Sequence, residues 1–334
     1  MRLTWLDPDH LDDRDVAGAV AVLEAARAAE YPHQLGPTVP TYAARLRHGW
    51  DGDPPQVALI RDGSDRVVGV LELELPHWDN THSGWVDVTV DPLSRGKGIG
   101  RTLFDVGADR IRAAGRTLLL SGSFEPADGV GFLKSMGLDR ASEAVQRRQD
   151  LLAVEWPRLD QMYSDAERRA SDYELLALSG ATPDEFLTDV VAMTAAINDA
   201  PTDDLDIEDE VFSPERIRAF EAAQAAHGRR IYRMVARERR TGEFAGHTLV
   251  AVESDRPWFG IQCDTSVLRS HRGHRLGLLL KIAMMRRLHD VEPQLRLLDT
   301  WNAASNAHMI SVNDALGYRV IATSAEWQRH LRST

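Results

Sequence analysis

The stretch "VDVTVDPLSRGKGIGRTLF" runs from Val86 to Phe104. Val86 to Val90 alternates apolar with polar residues, the period of a strand with one buried face. Residues 95–101 then interleave Gly96, Gly98 and Gly100 with Arg95, Lys97 and Arg101. A helix over about 98–114 is expected directly behind. Glycines at a strand end leave the backbone approachable, because no Cβ stands in front of it. The start of a helix adds partial positive charge. Together they predict a seat for phosphate or pyrophosphate, with the cations adding charge-assisted contacts. Spacing excludes two common phosphate loops, since a Walker loop needs Gly-Lys-Ser/Thr and a dinucleotide fingerprint needs G-x-G-x-x-G. This loop reads G-x-G-x-G.

The same pattern returns further along the chain. Placing Arg95 on Arg272 also places Asp87 on Asp264, Val90 on Val267, Gly96 on Gly273, Gly100 on Gly277 and Leu103 on Leu280. "FLKSMGL" (132–138) likewise parallels "SVNDALGY" (311–318). The chain is therefore an internal repeat. Each half reads as a strand, two helices, a hairpin, a strand, the basic glycine loop, a helix, a strand, a helix and further strands. Mixed, mostly antiparallel strands broken by helices indicate an α+β class. The expected organisation is an N-terminal domain over 1–154, a linker over 155–171 and a C-terminal domain over 172–334. Thr182 is expected to cap a helix over 182–199, and Ser213 another that begins at Pro214.

The chain has 334 residues, of which 43% are apolar and 27% charged, and a net charge of −12. That balance argues against nucleic acid or an anionic membrane as partner. No run approaches the roughly 18 apolar residues of a membrane span, and the first residues lack a signal peptide's apolar core. A cytoplasmic location is expected. Cys263 is the single cysteine, which excludes an internal disulfide, and its strand context reads as packing. The histidines give no metal site. His271 and His274 lie on the loop, His77 and His82 flank a turn, and no His-Glu-x-x-His helix occurs. The acidic run 203–210 lacks the spacing of a calcium loop and reads as a solvated surface or a lip that attracts a cationic amine.

Arg95, Gly98 and Gly100, preceded by "VTVDP", resemble the Arg/Gln-x-x-Gly-x-Gly/Ala loop of the GNAT superfamily of acyl-CoA-dependent acetyltransferases. The resemblance spans nearly the whole chain, once per half. It implies two tandem GNAT domains, each a mixed, mostly antiparallel sheet flanked by helices. It also implies that acetyl-CoA is the acyl donor, held at its pyrophosphate by the loop and along its pantetheine arm by a strand that splays from its neighbour. Carried over residue by residue, the donor contacts fall on Val88, Val90, Arg95, Gly96, Lys97, Gly98, Gly100 and Arg101. In the second half they fall on Thr265, Val267, Arg272, Gly273, His274, Arg275 and Gly277. Arg275 departs from the pattern, since it stands where the first half has Gly98. Asn306 matches the asparagine that such proteins often carry before the last large helix; the first half has none there. The tandem plan resembles mycothiol synthases, in which the C-terminal half does the chemistry.

Direct acyl transfer to an amine needs a base, a polarised thioester carbonyl and a stabilised leaving thiolate. Asp87 and Asp264 sit at matching places on their strands and are the base candidates. Glu72 and Glu74 on the preceding strand are poorer ones. Two-residue alternation groups Asp87 with Trp85 and Thr89, and Asp264 with Gln262 and Ser266. The leaving-group position that the family often fills with tyrosine is Leu133 in the first half and Asn313 in the second. Trp258, Asp299, Trp301 and Asn302 could shape an acceptor pocket, and Arg272, His274 and Lys281 are expected to keep the second loop cationic. The expected function is an N-acetyltransferase acting on a primary amine of a small molecule. The alternatives are a CoA-binding sensor or scaffold without turnover, and a nucleotide phosphate-binding protein.

Overall fold

The computed structural model describes residues 1–125 and 128–331. These divide into two units. The first comprises Met1–Val145, Thr202–Asp209 and the described residues from Ile321 on; the second comprises Gln146–Pro201 and Glu210–Val320.

The first unit opens with β1 (Arg2–Trp5), α1 (Asp13–Glu30), α2 (Val39–His48), β2 (Gln56–Arg61), β3 (Val67–Glu74) and β4 (Ser83–Val90). It continues with α3 (Ile99–Ala113), β5 (Leu118–Glu125), α4 (Asp128–Ser135) and β6 (Asp139–Asp150). Local chemistry sets the starts. Asp12 caps α1 by accepting from the Arg14 N–H at 2.8 Å, and Thr38 with Thr41 forms a capping box on α2. The strands run in the order β1-β2-β3-β4-β5, antiparallel except for the parallel pair β4–β5. Alternation decides the two faces. Val57, Leu59 and Val70 pack on Val16, Val20, Tyr42 and Leu46 of α1 and α2. Leu71, Leu73 and Val86 pack on Leu103, Phe104 and Ile111 of α3. Each such buried side chain contributes roughly 1.5–3 kcal/mol.

The second unit repeats the plan. It holds α5 (Trp156–Arg169), β7 (Tyr173–Ser179), α6 (Leu187–Ala195), α7 (Pro214–Ala226), β8 (Arg229–Glu238) and β9 (Phe244–Glu253). Then come β10 (Phe259–Val267), α8 (Leu276–Val291), β11 (Leu297–Ala303), α9 (Ala307–Ala315) and β12 (Arg319–His330). The strand order is β11-β10-β9-β8-β7, with only β10–β11 parallel among the pairs whose register is defined. α8 covers one face through Leu276, Leu280 and Met284. α6 and α7 cover the other through Val190, Met193 and Ile217.

Three sequence expectations differ here. The stretch expected as a linker is mostly α5, whose Leu159 and Ala166 are buried in the second unit's core with Ala170 just beyond it. The boundaries also differ. From Gln146 onward β6 belongs to the second unit, where Arg148 Nε meets Asp299 Oδ1 at 2.6 Å. From Ile321 onward β12 belongs to the first, where it pairs antiparallel with β5 from Thr323 to His330. Thr182, finally, does not cap a helix. Its N–H and hydroxyl both donate to Glu221 of α7, at 2.9 and 2.6 Å. The expected single helix breaks into α6 between two 3₁₀ turns. The acidic run 203–210 is mostly exposed, as a solvated surface is, and its backbone is tied down. Glu208 N–H donates to Asn80 at 2.7 Å and Asp206 N–H to Gln328 at 2.9 Å, all within the first unit.

Candidate functional site

In both units the strand before the glycine loop parts from its parallel neighbour. β4 pairs with β5 only at Ser83, Gly84 and Trp85, so Val86 to Val90 lose that partner while still paired to β3. β10 pairs with β11 only at Phe259, Gly260 and Ile261. A wedge opens between the strands, and backbone groups beyond it have no sheet partner on that side. The loops match as well. Gly98 starts α3 in the left-handed region at φ 80°. Arg275 starts α8 in the same region at φ 59°, a conformation that disfavours a side chain. The first intrahelical bonds run from Thr102 N–H to Gly98 O at 3.0 Å and from Leu279 N–H to Arg275 O at 3.1 Å. The N–H groups of Ile99, Gly100 and Arg101, and of Leu276, Gly277 and Leu278, precede them. Positions facing Gly96, Gly98, Gly273 and Gly277 are open to at least 4 Å. A pyrophosphate can approach that backbone, so the residues present fit a CoA donor.

The loop arginines serve the protein itself. Arg95 Nε donates to Val90 O at 3.3 Å, and its guanidinium pairs with Glu30 at the end of α1. Arg272 Nε donates to Val267 O at 3.1 Å, and its guanidinium pairs with Asp199 just beyond α6. The repeat has kept one brace twice: strand end, loop arginine, helix-end carboxylate. Lys97 and Arg101 are exposed on the first loop. Arg275 is exposed on the second, with no ion pair among the described residues. Replacing Arg275 by glycine should relieve the left-handed backbone. The expected result is a protein roughly 1 kcal/mol more stable that binds CoA more weakly. Thermal unfolding and calorimetry on the same variant check both halves.

The second unit has a cavity of about 670 Å³ beneath this wedge. Asp264, Thr265, Val267, Arg272, Gly273, Arg275, Gly277 and Asn306 all line it. Asp264 enters through a bulge: Gln262 stands opposite Val250 and Thr265 opposite Thr248, so Cys263 and Asp264 together face one residue of β9. The bulge corrects the expected alternation. Gln262 and Thr265 both meet the Thr248 hydroxyl, at 3.0 and 2.7 Å, on the α8 side. Ser266 points the other way, to Met193 O at 2.7 Å, and Asp264 faces Arg233 and Arg216 on that side. Burial pushes the Asp264 carboxyl above the usual carboxylate range, while Arg233 and then Arg216 pull it back. Arg233 also donates to His247 Nδ1 at 2.5 Å. Burial and Arg233 hold His247 neutral.

Other expected site residues lie elsewhere. Asn313 is 0% exposed and does not line the cavity. It sits behind the wall, where its Nδ2 donates to Asn302 Oδ1 at 2.7 Å, and Asn302 is the wall residue. Asn306 Oδ1 caps α9 by accepting from Met309 N–H at 3.2 Å. His274 turns toward Tyr173, ring centroids 5.5 Å apart, and off the cavity wall. Asp299 is buried by Arg148 and Gln146 and shapes no acceptor pocket. Trp301 lines the cavity and is 42% exposed, so it is not core; Trp258 is off that wall. Cys263 lines the cavity half-buried, its thiol pushed up to about 12 by burial, which leaves it unreactive. Lys281 is not part of the loop. It is buried on α8, lines the cavity, and holds its ammonium over the Tyr318 ring at 5.0 Å. The sequence signal for it existed: the repeat places Lys281 on Phe104, a cation on a core position.

In the first unit Asp87 stands in register with Glu72 on the face covered by α1 and α2. Arg45 of α2 bridges Glu72 and Glu74 at 2.6 and 2.8 Å, so neither glutamate is free. Burial, then the charge of Glu72, pushes the Asp87 carboxyl up to about 7. Folded protein therefore holds that proton more tightly than the unfolded chain, whose value is near 3.8. The stabilising contribution is complete below about pH 4 and is lost as pH rises toward 7. Urea titrations across that window should show stability falling with pH, and Asp87→Asn should flatten the fall. The leaving-group counterpart Leu133 is buried core, as is Phe104.

Residues 21–127 match the Acetyltransferase (GNAT) family. Over the whole chain the fold superposes on a solved tandem GNAT protein from the clavulanic acid biosynthesis pathway, with TM-score 0.78, 28% identity and 98% of each chain covered. The chain has the tandem GNAT fold. Two mycothiol acetyltransferases are similar to this tandem GNAT chain. One, from Rhodococcus opacus, is 29% identical over 153 residues, 45% of this chain and 46% of that protein. The other, from Propionibacterium freudenreichii subsp. shermanii, is 34% identical over 108 residues, 32% of this chain and 34% of that protein. The matched parts thus span about half and about a third of those relatives. No helix among the described residues of the tandem GNAT chain is long and apolar enough to cross a membrane.

Proposed function

We propose that the chain is an acetyl-CoA-dependent N-acetyltransferase that acetylates a primary amine of a small molecule, with the chemistry in the second unit. The observation that carries this reading is the convergence on one cavity of the parted strand, the open glycine loop and a half-buried carboxyl, Asp264. The N–H groups at the start of α8 and the side chain of Arg275 hold the donor's phosphates. Backbone groups of β10 beyond Ile261 line the donor's arm and polarise the thioester carbonyl. Asp264, raised by burial, takes the proton from the acceptor amine, directly or through water. Trp301 and Asn302 bound the acceptor side. The net charge of −12 suits a cationic acceptor. The names of the mycothiol acetyltransferase relatives make acetyl the first acyl group to test.

A second reading applies to the first unit: it holds CoA without turnover. Leu133 and Phe104 fill with core the places where the second unit has Asn313 and Lys281. Calorimetry with acetyl-CoA, paired with thiol release across a panel of amines, tests both readings. Binding with release supports the transferase. Binding without release across the panel supports the sensor or scaffold, and competition by ADP as strong as that by CoA would favour a nucleotide site.

A further inference from the structure

Lys281 is 2% exposed, lines the second unit's cavity, and has no hydrogen bond or ion pair among the described residues. Among the described residues its ammonium meets the face of the Tyr318 ring, 5.0 Å from Nζ. An ammonium in that position is costly unless something compensates it. Packing does not require it, because Phe104 fills the matching place in the first unit at 0% exposure. The other charged or titratable groups on the cavity wall are Asp264, Cys263, His271, Arg272, Arg275 and His308, with Asp199 held by Arg269 and Arg272. Asp264 faces Arg233 and Arg216 on the α7 side of the sheet. The compensating anion is therefore one that the cavity receives.

We infer that Lys281 is the acid of the transfer step, its Nζ ammonium protonating the thiolate that leaves the acyl group. This rests on the acyltransferase reading above. In the step the acceptor nitrogen bonds to the thioester carbon, the carbon–sulfur bond breaks, and its electron pair goes to sulfur. Sulfur takes a proton from Lys281, and Lys281 is reprotonated by solvent with the proton the amine gave up. Burial lowers the Lys281 ammonium to about 7, which brings it close to the range of a thiol, so the two groups are matched for a proton to pass between them near neutral pH. Asn313 cannot serve as an acid, and its Nδ2 is committed to Asn302.

The test titrates the thiol of bound CoA by its ultraviolet absorbance, in the wild-type full chain and in Lys281→Met. In the wild type the bound thiol should ionise lower than free CoA, and about one to three pH units lower than in K281M. With K281M, kcat for acetyl transfer should fall about hundred-fold or more while CoA still binds. Lys281→Arg, charged but unable to release its proton, should keep the thiol shift and lose the turnover. A bound thiol in the wild type that ionises like free CoA overturns the proposal without any variant. So does K281M with unchanged kcat, or with a changed KM for anionic acceptors alone, which would make Lys281 a carboxylate anchor. Absence of CoA binding to the wild type overturns the acyltransferase reading and this proposal together; CoA binding with an unshifted thiol overturns this proposal only.

Discussion

Gly277→Trp should leave the protein folded and remove acetyl transfer. Gly277 lies in the first turn of α8 and lines the cavity. A Cβ placed there meets nothing within 4 Å, and the backbone is not in the left-handed region. Glycine inside a helix is itself unfavourable by up to about 1 kcal/mol, so replacing it carries no local penalty. The indole would instead occupy the space over the loop where the donor's phosphates belong. The expected loss is one CoA site per chain by calorimetry and at least about a hundred-fold in turnover, the scale set by displacing a reactant from its aligned position. Gly98→Trp is the companion for the first unit. Its φ of 80° makes that substitution strained by roughly 1–2 kcal/mol, yet turnover should survive. Turnover lost with Gly98→Trp and kept with Gly277→Trp would move the chemistry to the first unit.

The loops were readable because glycine spacing reports backbone conformation directly. Gly98 is a position that favours glycine, and the repeat alone puts Arg275 in its place. Strand and helix identities were readable for the same reason, since period and caps are local properties. What failed was non-local. The bulge at Cys263 and Asp264 leaves no mark in composition, so alternation misassigned Gln262. The arginines of the two loops looked like phosphate ligands; their carboxylate partners, Glu30 and Asp199, are far away in sequence. Asn313 was placed by spacing before the last glycine, which cannot tell a wall residue from the one behind it. Lys281 was legible only as an anomaly against Phe104. The strand exchange was not legible at all. β6 and β12 occupy equivalent places in the repeat, and nothing in either sequence names its sheet.

That exchange makes Trp327→Ala the most disruptive core substitution to try, and one that reports which unit β12 completes. Trp327 is 1% exposed, packs in the core with Leu119, Leu133 and Met136, and donates from Nε1 to Ser123 Oγ at 2.9 Å. Truncating a buried tryptophan to alanine costs about 3–5 kcal/mol, and the Ser123 hydroxyl would lose its partner as well. A loss of that size is a large part of one domain's stability. Because β12 pairs with β5 along eight register positions, amides of β5 and its neighbour β4 should exchange faster with solvent. Those of β8 and β9, held in the second unit's own sheet, should keep their protection. Under the boundaries read from sequence, β12 would belong to the C-terminal domain and the damage would fall on β8, β9 and β10 instead. Hydrogen exchange on the full-length variant therefore decides between the two, because it reports each strand separately even though the chain as a whole need not unfold in one step.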